Sequence, residues 1–387
     1  MRKVWPFTLN FLLYGSMACV LPFMVLYYQE LGFTGAQIGL LSGLPPFITF
    51  FSSPLWTGLA DTKRWHRLIM SLALLVGAIA LVVLSTLETF VAVLATVVLI
   101  FIFQSPVTPL VDSAAMVMLG DEREMYGRIR VGGTIGYGLA ALAAGALVQS
   151  QGLRWAFWAS AGLFVVALLV SQKLVYAESS GPAPNLGRAR ALLANPRWLV
   201  FLAVVFAGGF GLAAVNNYLF PYLKELGAGE STMGLALTVG TISEVPILFF
   251  ANRFLKRLGA QGLLLLSMII TGLRMILFAV AGTPGVVLAL QLLNGLTFPA
   301  MWVAAVSYAD EHAPAGMRAT AQGLFGATTM GFGTAVGGFL GGPLLAGLGG
   351  RGLYLVYGVV VLLIVALAAL LQRRLPAEQP GPSSSTI

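Results

Sequence analysis

Four long apolar runs open this chain: Phe7 to Tyr28, Ile38 to Ala60, Leu68 to Leu87, and Phe90 to Leu119. Each is near or above the roughly 20 residues that a helix needs to cross a bilayer. A helix satisfies its own backbone hydrogen bonds, which lipid cannot do for it, so such runs leave little choice but a helical membrane protein. The pattern continues to the end of the chain and gives about twelve spans of this length. Only 9% of the 387 residues are charged, against about 25% in soluble domains. A chain so poor in charge cannot coat a globule of its size.

The first run is too long for a signal peptide and lacks an evident cleavage site, so it is expected to persist as the first helix. The single cysteine, Cys19, excludes an intrachain disulfide. The formal charge of +8 follows membrane topology rather than nucleic-acid binding. Cations concentrate in alternate loops, among them Lys63, Arg64, Arg67, Arg123, Arg128, Arg188, Arg190, Arg253, Lys256 and Arg257. The intervening loops carry only Arg154, Lys224 and Arg351. By the positive-inside rule both termini are expected in the cytoplasm of a multi-pass inner-membrane protein.

The polar stretch "YAESSGPAPNLGRARALLANPR" interrupts the apolar pattern halfway. It divides the chain into a six-helix bundle over 1–176, a cytoplasmic linker over 177–196, a second six-helix bundle over 197–374, and a disordered tail over 375–387. The halves repeat each other: "ELGFTGAQIGL" from Glu30 returns as "ELGAGESTMGL" from Glu225, an offset of 195. The same offset carries Gly136 and Gly138 onto Gly331 and Gly333. Parallel repeats about an axis normal to the membrane are one transporter plan. Small residues of this kind let helices approach closely, or they line a ligand path.

Four ionisable groups fall inside apolar runs: Asp112, Arg130, Glu244 and Arg274. Each costs at least about 2.5–3.5 kcal/mol at a helix centre, so such groups face the interior and pair. Asp112 lies nine residues before Asp121, and Arg130 nine after it. Allowing a few residues for the turn, both stand roughly 8 Å inside the boundary at 1.5 Å per residue, which predicts an ion pair. Glu244 and Arg274 flank Gly259 by fifteen residues on either side. With the same allowance for the turn, both lie roughly 17 Å deep, where they too are expected to pair. Well-packed apolar residues serve stability equally well, so the retained charges point to a task, although helix packing is the plainer reading.

These residues resemble the major facilitator superfamily over essentially the whole chain, which implies twelve transmembrane helices in two pseudo-symmetric bundles, an all-α membrane fold. "GLADTKRWHR" is similar to the superfamily's loop between helices 2 and 3, with Trp65 in place of the usual glycine. There the acid caps a neighbouring helix and the loop steadies one conformation. The resemblance marks Gly58, Asp61, Lys63 and Arg64 as that conformational loop, where plain charge anchoring is the alternative. "MYGRIRVGGTIGYG", "SPVTPLVDS" and "GLRMILF" resemble the lactose permease and phenylpropionate permease branch. That implies substrate contact for Asp112 and Arg130, and proton coupling for Arg274. The chain departs from the lactose type at Tyr137, which replaces a Trp, and at Gln291, Asn294 and Thr297, which replace Lys, His and Glu. The standard proton carrier is therefore missing, and Glu244 takes that expected role, with Asp112 in reserve.

The expected function is transport of a small polar organic solute (a sugar, nucleoside or aromatic acid) by alternating access and proton symport. The substrate-binding candidates are Asp112, Arg130, Tyr137, Asn216, Asn217, Gln291 and Asn294. The proton-coupling candidates are Glu244, Arg274 and Asp112. The amides could equally be interhelical glue. An exporter of drugs or sugars, or a lipid flippase, is the alternative on the same fold. The expected partners are the small-molecule solute, a proton and membrane lipid, with no nucleic acid, cofactor or metal, and a monomer as the unit. The histidines, His66 and His312, belong to no metal or nucleophile motif, so no enzyme is expected.

Overall fold

The computed structural model describes residues 4–120, 122, 125–176, 192–314 and 317–374. The linker core 177–191, the tail 375–387, and residues 1–3, 121, 123–124 and 315–316 lie outside the described residues. Eleven helices among those described are long and apolar enough to cross a membrane. In chain order the first ten are α1 (Val4–Glu30), α2 (Gly35–Lys63), α3 (His66–Leu84), α4 (Phe90–Leu119), α5 (Tyr126–Gln151), α6 (Arg154–Ser171), α7 (Pro196–Glu225), α8 (Glu230–Phe249), α9 (Ala251–Val280) and α10 (Pro284–Glu311). The last run, Thr320–Arg374, holds 55 residues. As one rod it would be roughly 80 Å long, far more than the ~30 Å hydrocarbon core. It is broken at Gly349, whose φ of 66° and ψ of 178° leave the helical region, and the arms on either side are α11 and α12. Tyr357 of α12 donates a hydrogen bond to the carbonyl of Gly337 on α11, so the chain folds back at Gly349.

Local sequence sets the ends. Thr34 and Gln37 form a reciprocal capping box at the start of α2. Gly32 and Gly227 take positive φ (72° and 85°) in the turns after α1 and α7, which glycine does without a Cβ penalty. Two tyrosines then clasp neighbouring loops. Tyr27 donates to the carbonyls of Leu84 and Leu87, and Tyr222 to those of Phe278 and Ala281.

Helices of the first six meet helices of the second six at the end that carries these two turns. A Cβ on Gly342 of α11 would lie 2.2 Å from the Gly35 carbonyl oxygen and 2.3 Å from the Gly39 nitrogen of α2. On the other side, a Cβ on Gly145 of α5 would lie 2.5 Å from the Glu230 carbonyl of α8, and one on Gly234 would lie 2.4 Å from that of Ala141. Phe23 and Phe220 meet edge-to-face at 4.8 Å between α1 and α7. Lys224 reaches Glu30 at 3.8 Å.

These contacts correct the repeat. Gly39 on Gly342 is the counterpart of Gly234 on Gly145, so the offset is 195 for α2 and α8 but 197 for α5 and α11. A Cβ on Gly136 would strike the Phe11 carbonyl, and one on Gly333 the Phe206 carbonyl, so the partner of Gly136 is Gly333 rather than Gly331. The second half carries two additional residues by α11, which also contains a π-helical stretch, Ala327–Gly333.

Candidate functional site: two charged centres

Arg130, Tyr137 and Ala141 share one face of α5 at helical spacing i, i+7 and i+11. Ala141 abuts Gly234 of α8, so this face looks toward the second half of the chain. Arg130 Nη1 donates to both Asp112 oxygens, at 3.2 and 3.4 Å. The pair is part-exposed, with 43% of the Arg130 side chain and 32% of the Asp112 side chain open. The guanidinium also lies over the Tyr14 ring of α1, 5.1 Å from its centroid, a cation–π contact. A Cβ at Gly133 would come within 2.7 Å of that ring, so the glycine gives Tyr14 its seat. Tyr126 stands beside both Asp112 and Arg130. The sequence-predicted pair is present, and Tyr14 and Tyr126 complete it; Tyr126 is the aromatic of the segment that resembles the permease branch, and the contact with Tyr14 is what sequence reasoning missed.

The second centre differs from expectation. Glu244 and Arg274 make no direct ion pair. Helices α8 and α9 are neighbours in sequence, but α10 lies against both, and its residues fill the space between the two charges. Arg274 is 3% exposed and donates to four oxygens. Nε reaches the Leu290 carbonyl at 3.2 Å, Nη1 reaches Asn294 Oδ1 at 2.9 Å and Thr297 Oγ1 at 3.3 Å, and Nη2 bonds Gln291 Oε1. Asn294 Nδ2 donates in turn to Glu244 Oε1 at 2.8 Å. Gln291 and Asn294, expected to touch substrate, are thus ligands of Arg274 in this structure.

Their geometry has a local cause. The middle of α10, Gln291–Leu296, is 3₁₀ rather than α. At three residues per turn, positions i, i+3 and i+6 stack in a column, and Gln291, Asn294 and Thr297 are that column. Thr297 leaves the helical region (φ −97°, ψ −107°), and Pro299 lacks the N–H that would have bonded the Gly295 carbonyl.

Tyr137 lies within electrostatic reach of Glu244, and the carbonyl of its neighbour Gly138 accepts a hydrogen bond from Thr238 of α8 at 3.0 Å, so it lies at the junction of the halves. Asn216 is exposed and Asn217 half-buried, and the structure brings neither into the network. Of the residues expected to form the conformational loop, Gly58, Asp61 and Lys63 lie in the last turns of α2 and only Arg64 is outside it; Asp61 Oδ1 bonds Nε2 of His66, the first residue of α3, at 2.8 Å. The acid thus holds its own turn, where the resemblance implied capping of a neighbouring helix. Arg64 takes a left-handed conformation (φ 58°) at the position that ends α2, next to Trp65. Gly58 and Lys63 are exposed.

Residues 7–371 match the family model described as the MFS_1 like family. The chain belongs to that family, within the major facilitator superfamily. It is therefore a multi-pass membrane transporter and not an enzyme. This MFS transporter is 28% identical to the uncharacterized transporter YwbF of Bacillus subtilis, over 88% of this chain and 86% of that protein. It is also 28% identical to a maltose permease of Geobacillus stearothermophilus, over 94% and 93% of the two chains. Among solved structures, the nucleoside transporter NupG superposes with a TM-score of 0.85 at 19% identity, covering 97% of this chain and all of that one. That likeness supports the fold alone.

Proposed function

We propose that this chain is a secondary active transporter of a small polar organic solute (a sugar, nucleoside or aromatic acid) that works by alternating access and proton symport across the inner membrane. Twelve crossings, in bundles over 1–176 and 197–374 joined by a cytoplasmic linker over 177–196, fit the reversal at Gly349 and the paired glycine contacts. With the cation-rich loops and both termini in the cytoplasm, the glycine contacts close the outer end, and the cleft at Asp112 and Arg130 opens inward.

One observation carries the solute assignment: Arg130 is an incompletely used fork. Its face lies on Tyr14, Nη1 bonds Asp112, and 43% of the side chain remains exposed. A guanidinium so held suits a carboxylate or a pair of hydroxyls. Tyr137, two turns along the same face, supplies a ring surface for a cyclic solute. Glu244 carries the proton, and Arg274 is its charged counterpart.

The test is uptake into proteoliposomes under an imposed pH gradient, using labelled maltose, uridine and an aromatic acid. At least one solute accumulates with the gradient, a protonophore abolishes accumulation, Arg130→Ala abolishes uptake, and Glu244→Gln removes the gradient's effect. Gradient-driven depletion of preloaded vesicles would favour the exporter instead. Full gradient-driven accumulation by Glu244→Gln would remove that residue from coupling.

A further inference from the structure

We infer that Asn294, presented by the 3₁₀ turn Gln291–Leu296, is the positioning residue that ties the charge state of Glu244 to the placement of Arg274. This deepens the proposed function, since it rests on Glu244 as proton carrier.

The amide can sit only one way round. Nδ2 faces two acceptors, the Gly240 carbonyl at 3.4 Å and Glu244 Oε1 at 2.8 Å. Oδ1 faces Arg274 Nη1, a donor, at 2.9 Å. A carbonyl only accepts and a guanidinium only donates, so turning the amide over would break contacts on both sides. With no direct ion pair between them, the charge on Glu244 acts on Arg274 through this one side chain as well as through space. The other titratable groups close to these two are Tyr137 of α5, near Glu244, and Tyr354 of α12, near Arg274.

The turn that presents Asn294 is held from beside Glu244. Ser243 Oγ accepts the Gly295 N–H at 3.1 Å, and its one proton faces the Gly240 carbonyl at 2.7 Å and the Gln291 carbonyl at 3.2 Å. A Cβ on Gly295 would lie 2.2 Å from the Ser243 carbonyl, so α8 and α10 touch backbone to backbone there. A mid-helix 3₁₀ stretch stands close to the α-helical alternative. Rewinding to 3.6 residues per turn rotates Asn294 by about 60° relative to Gln291, and Thr297 by about 120°. Either rotation takes an oxygen off Arg274. While Glu244 is charged, its hydrogen bond to Asn294 opposes that rotation; once Glu244 is neutral, the restraint weakens and Arg274 loses part of its cage.

Hydrogen–deuterium exchange on the purified full chain in detergent tests this as a double-mutant cycle of Glu244→Gln and Asn294→Ala, which isolates the pairwise coupling. In the wild-type background Glu244→Gln lowers protection of the 291–296 amides about tenfold, as loss of a charge-assisted hydrogen bond requires. In the Asn294→Ala background the same substitution changes protection less than about twofold. Equal responses in the two backgrounds, or no response in the wild type, overturn the inference; a merely structural Asn294 gives equal responses. Asn294→Ser replaces the alanine variant if that one is not monodisperse. Neither solute nor gradient enters this measurement, so failure of the transport reading and failure of this coupling are separate results.

Discussion

Alanine at Gly342 tests the closed end of the cleft. The added Cβ would sit 2.2 Å from the Gly35 carbonyl oxygen and 2.3 Å from the Gly39 nitrogen, whereas ordinary contacts between carbon and such atoms begin about 1 Å further out. Both partners are backbone, so no side chain can swing aside and the helices must separate. Overpacking of this kind costs about 1–3 kcal/mol. Because it acts only while α2 and α11 touch, it shifts the equilibrium away from this state by roughly 5–150-fold. Gly145→Ala at the symmetry-related crossing strikes the Glu230 carbonyl at 2.5 Å and shifts it the same way. Spin labels on the two turns after α1 and α7 report the change in pulsed distance measurements, where a longer-distance population grows in both variants. Gly162→Ala is the control, because its Cβ meets nothing within 4 Å. Unchanged distances in folded Gly342→Ala, or an equal shift in Gly162→Ala, would refute the steric argument.

Three further outcomes follow from single contacts. Arg130→Lys keeps a charge beside Asp112 but loses the fork and its flat face on Tyr14, so solute affinity falls by about tenfold or more; a ligand-induced thermal shift, titrated with the transported solute, measures this. Tyr222→Phe takes the side-chain donor from the buried Ala281 carbonyl and one of two donors from the Phe278 carbonyl, which keeps the Ala281 N–H, and lowers stability by about 1 kcal/mol, read as a lower unfolding temperature. Thr34→Ala removes the capping box of α2 and costs about 1 kcal/mol, read as faster amide exchange over the first turn of that helix.

The spans were legible because lipid imposes one length and one hydrogen-bond solution on every crossing. The Asp112–Arg130 pair was legible because the short turn between α4 and α5 sets both groups at one depth. The same reasoning failed for Glu244 and Arg274 as a direct pair, since depth says nothing about what stands between two helices. There α10 intervenes, and its 3₁₀ turn brings together three side chains that α-helical spacing would fan apart. The repeat was visible at Glu30 and Glu225, but the two acids now differ: Glu225 caps the Gly350 N–H at 2.7 Å, while Glu30 reaches across to Lys224. Pattern matching finds the duplication and cannot see that divergence, which depends on contacts between the halves.

The two arginines stand in opposite situations, and that difference divides the labour in the proposed mechanism. A solute arriving at Arg130 competes with one part-exposed ion pair, a contact worth at most about 1 kcal/mol when open to water. A solute arriving at Arg274 would have to displace the neutral oxygens around a buried guanidinium, where stripping a partner from a buried charge costs about 3–5 kcal/mol. Solute recognition therefore belongs at Arg130, and Arg274 answers to Glu244 through Asn294. The path between the centres is short. Tyr137 lies seven residues beyond Arg130 on the same face, roughly 10 Å along the helix, and approaches Glu244. A ring held by Arg130 and stacked on Tyr137 shields Glu244 from the water of the cleft, and a shielded carboxylate holds its proton more tightly. Occupancy at one centre thus favours protonation at the other without any contact between the solute and Arg274. A solute that binds Arg130 yet is too short to cover Tyr137 should bind without stimulating proton uptake, and proton uptake measured beside solute binding across a size series would reveal whether it does.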